Sequence, residues 1–236
     1  MAREFNRNIF IMMLSIMAGF IIITYFVADV AHQSQIQEIN SEHDLEIVEI
    51  EENNIYFTTS FLESSVLLDS AREDRAFGNY HFDLAHLFYT SALSETNETI
   101  MEQYRSTCVK NCTKALPKYQ TASQNFDLAA SFFEKTKNYT DFDSYVELLS
   151  LYVDLSNSGE QLTMLRYNAT VYLKILAENI TFVDNAPILE NLTQIVELFN
   201  ETMMAYGGAL QEFEDIQEQI DEYNIEGFNP IREPPI

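Results

Sequence analysis

The sequence is poor in the residues that interrupt regular structure, with no Trp, six Gly and five Pro among 236 residues. A many-stranded β protein needs turn residues at short intervals, and a nucleotide-binding loop needs clustered glycines. Basic residues are also scarce, since 13 Lys and Arg stand against 37 Asp and Glu, a net charge of −24. This charge repels phosphate backbones and excludes nucleic acid as a partner. With 47% hydrophobic residues, the composition predicts a packed all-α protein.

The longest apolar run, Ile9–Val27, carries no charge. Its 19 residues, at about 1.5 Å each in a helix, approach the hydrocarbon thickness of a bilayer of about 30 Å. Arg3 and Arg7 precede the run and Asp29 follows it, so the positive-inside rule predicts a cytoplasmic N-terminus. A cleaved signal peptide is the alternative, but cleavage after Ala31 would put Asp29 where a small residue is required.

These features predict a single-span plasma membrane protein whose C-terminal domain is extracellular. The ectodomain is expected to be an antiparallel helix bundle or a stack of helical hairpins. The predicted segments are a cytoplasmic stub (1–8), a transmembrane helix (9–28), an acidic membrane-proximal stalk (29–57), a helical ectodomain (58–226) and an extended C-terminal tail (227–236).

Asn-x-Thr triplets are in clear excess. The chain has 18 Asn and 16 Thr, so random placement gives about one such triplet. Seven occur, at Asn97, Asn111, Asn138, Asn168, Asn179, Asn191 and Asn200. They predict N-glycans, and each acceptor is expected to face solvent because a glycan is bulky. Residues 31–96 and those after 202 carry no triplet, which predicts that these two segments pair with each other or with partner subunits.

Periodicity predicts several helices. Apolar residues recur every seven positions from Leu192 to Ile220, which predicts a helix of about 35 residues with Pro187 in its first turn. Upstream, residues 143–178 are expected to form one or two helices, with a break at 156–159. Further breaks are expected near Gly78, at 94–97 and at Pro117.

Cys108 and Cys112 are the only cysteines and are four residues apart, so a helix would place them one turn from each other. Outside the cell they are expected to form a local disulfide, with pairing to another chain as the next alternative. Metal binding comes last, because two thiolates without a nearby histidine fall short of a zinc site. The adjoining triplet at Asn111 predicts that this region faces water.

No pattern of a catalytic or cofactor site is present, and the protein is predicted not to be an enzyme. His81 and His86 would lie about 140° apart on a helix, which disfavours joint metal coordination. Asp141, Asp143 and Glu147 suggest calcium only weakly, because the glycine-containing loop of a calcium-binding hand is missing. No cofactor is therefore expected.

Two short segments repeat 44 residues apart, Phe82-Asp83-Leu84-Ala85 and Phe126-Asp127-Leu128-Ala129. Together with Gly78-Asn79-Tyr80, Tyr89, Ala92, Leu93 and Phe133, they make residues 67–137 resemble tetratricopeptide-type helical hairpins. This resemblance implies a protein-binding scaffold, although the period of that family is about 34 residues. In outline, the N-terminus also resembles archaeal pilins, without their processing site.

The sequence therefore predicts a membrane-anchored, N-glycosylated scaffold, or a subunit of a cell-surface complex or filament, that acts through protein contacts. Its expected partners are the membrane and other cell-surface subunits. The alternative is an extracellular ligand-binding or sensor domain, which is disfavoured because only about eight residues remain in the cytoplasm to pass on a signal.

Overall fold

A computed structural model describes residues 2–183, 186–188 and 192–223. Within them it gives the backbone alone at residues 2–31, 36–38, 40, 42, 44, 182, 183, 186 and 187. The elements are helix α1 (Ala2–Ser94), helix α2 (Glu98–Thr136), a 3-10 turn (Lys137–Tyr139), helix α3 (Asp143–Asn179), strands β1 (Thr181–Val183) and β2 (Ala186–Ile188), and helix α4 (Thr193–Glu222). The all-α prediction is confirmed, with one short antiparallel hairpin added.

The chain divides into two compact units, residues 1–53 and residues 54–236. The first unit is helical over its described residues, and the side chains described between His32 and Asn53 are exposed. Residues 44–57, at the end of the predicted acidic stalk, are helical. Among the residues whose side chains the structure describes, no helix is long and apolar enough to cross a membrane. The predicted span, 9–28, falls where only backbone is described, so it stays a prediction, as does the tail, 227–236, outside the described residues.

The second unit is an antiparallel bundle in which each helix runs opposite to the next. Ser60 and Thr136 share a hydroxyl hydrogen bond of 2.9 Å near one end of the α1–α2 pair, and Lys118 donates to Asp74 at 2.6 Å further along. Tyr223 at the end of α4 donates to Glu147 near the start of α3 at 2.7 Å. The bundle expected from the sequence is therefore present.

The core has two apolar clusters, and all four helices contribute to each. The first, which we call the aromatic cluster, includes Leu68, Phe126, Phe133, Tyr152 and Phe213. The rings of Phe133 and Tyr152 stack with centroids 4.9 Å apart, and Phe61 meets both edge-on. Such ring pairs stabilise the core beyond the area that they bury.

The second cluster, which we call the small-residue cluster, contains several side chains of small volume. Its fully buried members include Ala85, Cys108, Cys112 and Ala115. Tyr119 is its largest fully buried side chain, and its hydroxyl donates to Asn79 at 2.8 Å. Small residues let helix backbones approach closely, and here they pack beside the ring of Tyr119, which lies against the backbone at Gly78.

Three of the four predicted helix breaks are wrong. The break at 94–97 is confirmed, because α1 ends at Ser94 and Asn97 caps α2 by accepting hydrogen bonds from two backbone N–H groups. By contrast, Gly78 lies within α1, Pro117 within α2, and 156–159 within α3.

The glycines at two of these positions serve close packing. A Cβ atom on Gly78 would lie 2.7 Å from Cε1 of Tyr119, and one on Gly159 would lie 2.5 Å from Cε1 of Phe126. Both distances are well inside van der Waals contact, so each glycine gives an aromatic ring the room to lie on a helix backbone. A glycine that the sequence marks as a break is here a packing site.

Helix α4 confirms the seven-residue repeat, since Tyr206, Phe213 and Ile220 are all buried in the bundle. Its start is later than predicted, at Thr193, and Pro187 lies in β2 instead of the first helical turn. The predicted pairing of the triplet-free segments is confirmed for α1 and α4. Arg72 of α1 hydrogen-bonds Gln217 of α4, and the Arg75 guanidinium lies 4.3 Å from the ring centroid of Phe213.

Candidate functional site

The predicted glycan acceptors occupy different environments. Five are exposed, namely Asn97, Asn138, Asn168, Asn179 and Asn200. They lie at the N-cap of α2, in the 3-10 turn, in α3 and in α4. Asn191 lies outside the described residues. Asn97 uses Oδ1 to cap α2, which leaves its Nδ2, the atom that would carry a glycan, without a role in the cap.

Asn111 is different, and the prediction that it faces solvent is wrong. It is 8% exposed, and its Nδ2 donates to the Thr107 carbonyl at 2.9 Å. Its Oδ1 lies 2.9 Å from Nδ1 of His81. Because the amide oxygen can only accept, His81 donates through Nδ1. Asn111 thus satisfies a buried imidazole, and a glycan on Nδ2 would require space inside the bundle.

The cysteine pair is buried, contrary to the expectation that this region faces water. Cys108 and Cys112 have no exposed surface, and both are present as thiols. A hydrogen bond between the two thiols, together with burial, raises the pKa of Cys108 well above its usual value. Buried thiols held in the protonated form are poor nucleophiles and poor metal ligands. The placement on adjacent turns agrees with the spacing argument, and the disulfide itself stays a prediction.

The described residues contain no cluster of side chains that matches the weakly suggested calcium site. No group of three or more His, Cys, Asp or Glu side chains is arranged to hold a metal ion in the part of the chain that the structure describes. Glu147 instead accepts the hydrogen bond from Tyr223, and this bond raises the pKa of the tyrosine to about 12. His86 stacks on Phe199 of α4 with ring centroids 6.0 Å apart, whereas His81 pairs with Asn111.

Sequence reasoning did not single out two arginines that lie between aromatic rings. The guanidinium of Arg166 lies 4.0 Å from the ring centroid of Tyr206 and 4.5 Å from that of Phe82. Arg75 contacts Phe213 in the same way and borders an open groove of about 500 Å³. Cation–π contacts hold these side chains between α1, α3 and α4, which assigns them to helix packing.

The largest unexplained feature of the bundle is an apolar strip on the solvent side of α1, which we call the outer face. Six large apolar side chains on it are between 47% and 68% exposed: Ile55, Leu62, Val66, Phe77, Tyr80 and Leu87. Ile55, Val66 and Phe77 are 11 residues apart, which is about 20° of rotation per step. Leu62 and Tyr80 are 18 residues apart, or five full turns. The six therefore share one side of the helix.

The outer face lies opposite the core-facing side of the same helix. Val66 is 68% exposed and Phe82 is 2% exposed, and their separation of 16 residues is a rotation of about 160°. Over residues 54–94, α1 is therefore apolar on two sides. A helix that is apolar all round is normally buried, and a contiguous exposed apolar patch is typical of a contact site.

The charges beside the outer face are acidic. Glu63, Asp69, Glu73 and Asp83 are all exposed on α1. Asp69 lies 3.8 Å from Arg72, whereas no cation lies within ion-pair distance of Glu63, Glu73 or Asp83 among the described residues. Lys118 of α2 approaches the Phe77 ring at 5.3 Å, but its charge is paired with Asp74.

No protein-family model, no curated protein and no solved structure matches this chain. The functional interpretation therefore rests on the chain's own residues.

The outer face was missed by sequence reasoning because α1 was expected to break near Gly78. A break there separates Leu62, Val66 and Phe77 from Tyr80 and Leu87. With the helix continuous through Gly78, the 18-residue spacing from Leu62 to Tyr80 becomes visible and extends the strip to Leu87.

Proposed function

We propose that this protein is a membrane-anchored, N-glycosylated scaffold or subunit of a cell-surface complex, and that it acts through protein contacts. The apolar segment 9–28 is the anchor, with the N-terminus in the cytoplasm and the bundle outside. The exposed acceptors Asn97, Asn138, Asn168, Asn179 and Asn200 carry the glycans. The outer face of α1 is the contact surface.

The observation that carries the proposal is the exposure of six large apolar side chains on the outer face. A soluble domain gains stability by removing such groups from water, at about 25 cal/mol per Å². Keeping them exposed on a helix that already has a buried side is unfavourable unless a partner covers them. Among the groups that could act chemically, His81, Cys108 and Cys112 are buried in the core, which favours a contact function over catalysis at these residues.

Gentle detergent extraction of the full chain, followed by mass analysis of the intact complex, tests the proposal. We expect a stoichiometric protein partner, a retained N-terminal segment, and glycans on the five exposed acceptors but none on Asn111. Recovery of a lone, sugar-free chain that begins near Ala31 would contradict both the anchor and the scaffold.

A further inference from the structure

We infer that the outer face of α1 binds an amphipathic helix from a different protein, and that the apolar stripe of this helix is flanked by Lys or Arg residues. The inference rests on the proposed contact function and adds to it the chemistry of the partner.

The first step is geometric. The apolar residues of the outer face follow helical spacing from Ile55 to Leu87, which is the arrangement of a helix-to-helix interface. Packing a second helix along the strip would place its side chains between those of Leu62, Val66, Phe77 and Tyr80. An extended peptide would have no strand edge to pair with on this helix.

The second step is electrostatic. Glu73 is seven residues from both Val66 and Tyr80, so it lies within the strip itself. Glu63 and Asp83 are exposed nearby, and neither has a cation within ion-pair distance among the residues described. A partner that covers the strip would bury Glu73 at least in part. Burying an unpaired carboxylate is costly, whereas a Lys or Arg opposite it would complement the charge.

The third step excludes a second copy of this chain as the occupant. Two outer faces packed in parallel would place Glu73 against Glu73, and an antiparallel pair centred on this region would bring Asp69 and Glu73 of both copies together. The whole chain carries a net charge of −24, which adds long-range repulsion between copies. A partner helix that carries Lys or Arg residues avoids both the repulsion between facing carboxylates and the long-range repulsion between two acidic chains.

The surface is also unobstructed by the proposed glycans. No acceptor triplet lies between residues 31 and 96, the range that contains the entire outer face. The exposed acceptors lie on other elements, from Asn97 onward. A sugar-free strip beside a glycosylated bundle suits a protein partner that must approach closely.

Photo-crosslinking of the full chain in its native membranes tests the inference. A benzophenone amino acid replaces Val66, and the same group at the exposed position Gln120 of α2 is the control. We expect position 66 to crosslink to a protein segment with apolar residues at helical spacing and an excess of Lys and Arg. Position 120 should not label that segment.

Charge variants sharpen the test. Glu73→Lys should lower the crosslinking yield by about tenfold, because it introduces repulsion. Glu73→Gln should lower the yield by about threefold, because it only removes attraction. Glu197→Lys, an exposed charge change on α4, should leave the yield unchanged. Circular dichroism melting curves check that each variant folds.

The outcomes separate this inference from the proposed function. Crosslinking to a second copy, or to a protein segment that lacks basic residues, would overturn the basic-helix inference and leave the contact function standing. Crosslinking to lipid alone, or to nothing above the Gln120 control, would overturn both. A yield unaffected by Glu73→Lys would overturn the charge argument even if a partner is found.

Discussion

The two core clusters of the bundle achieve the same burial by different means. In the aromatic cluster, Phe133 and Tyr152 are fully buried and interlock through ring contacts. In the small-residue cluster, Ala85, Cys112 and Ala115 are equally buried but contribute little side-chain volume. The comparison teaches that a truncation should cost more in the first cluster, where it removes a ring, than at these small residues of the second.

The clusters also differ in the polar groups beside them. Beside the small-residue cluster lie the buried pair His81–Asn111 and the hydroxyl of Tyr119, whose pKa is raised by burial. Beside the aromatic cluster, the buried hydroxyls of Ser60 and Thr136 share a hydrogen bond, and the hydroxyl of Ser156 donates to the Tyr152 carbonyl. Buried polar groups require hydrogen-bond partners at both ends. We expect substitutions to expose this difference.

The largest effect is expected from truncating the centre of the aromatic cluster. Phe133→Ala removes a fully buried ring that contacts Phe61 and Tyr152, and should lower the unfolding free energy by about 3–5 kcal/mol. Cys112→Ala in the other cluster removes only a sulfur atom and should cost about 1 kcal/mol. Urea unfolding of the full chain in mild detergent under reducing conditions measures both. Equal losses would contradict the proposed contrast between the clusters.

The fold could be predicted from the sequence where periodicity carries the signal. The seven-residue repeat from Leu192 to Ile220 located α4, and the change in pattern at 94–97 located the turn before α2. Glycine and proline within helices led to wrong predictions of helix breaks. A residue that disfavours a helix locally can be tolerated where tertiary packing gains from it. Which aromatic ring would lie on Gly78 or Gly159 depends on a neighbouring helix, and no local pattern contains that information.

Replacing Gly78 and Gly159, the two glycines that contact aromatic rings, by alanine should give the next largest effect on stability. Gly159→Ala would place a Cβ atom 2.5 Å from the buried ring of Phe126, and Gly78→Ala would place one 2.7 Å from that of Tyr119. Each should destabilise the bundle by about 1–3 kcal/mol, despite the better helix propensity of alanine. Thermal melting measures the change.

Two controls accompany the glycine variants. Gly207→Ala meets nothing within 4 Å, so it should stabilise α4 by about 0.5–1 kcal/mol. The double variant Gly159→Ala with Phe126→Leu should recover part of the loss, since a smaller side chain relieves the contact. Destabilisation by Gly207→Ala, or none by Gly159→Ala, would refute the packing role of these glycines.

The buried polar pair should give a smaller effect, specific to the small-residue end. Asn111→Leu removes the acceptor of the His81 Nδ1–H, and an unsatisfied buried donor costs about 1–2 kcal/mol. Asn168→Leu is the matched control, because Asn168 is exposed and also belongs to an acceptor triplet. Chemical unfolding of both variants distinguishes a buried structural asparagine from a surface acceptor, and equal stabilities would contradict the assignment.

The candidate site was harder to predict than the fold. The acceptor triplets and the cysteine spacing are local patterns, and the sequence identified them completely. Burial is not local, so the sequence did not distinguish Asn111 from Asn168, nor did it place Cys108 in the core. The outer face of α1 is defined by what no helix of the bundle covers, and that follows only from the packing of the other three helices.

The smallest effect is expected at the rim of the bundle, where the Tyr223 hydroxyl donates to Glu147 at 2.7 Å. The bond raises the pKa of Tyr223 to about 12, above the value of about 10 in an unfolded chain. A raised pKa means that the bond stabilises the fold below about pH 10 and that this contribution is lost as the pH rises towards 12. Tyr223→Phe should therefore cost about 0.5 kcal/mol of unfolding free energy at pH 8, and the difference from the parent chain should shrink above pH 10.

Tyr172→Phe, which removes a hydroxyl with no hydrogen bond among the described residues, should show no such pH dependence. A constant difference between Tyr223→Phe and the parent chain from pH 8 to 12 would contradict a stabilising hydrogen bond that is lost when the hydroxyl ionises.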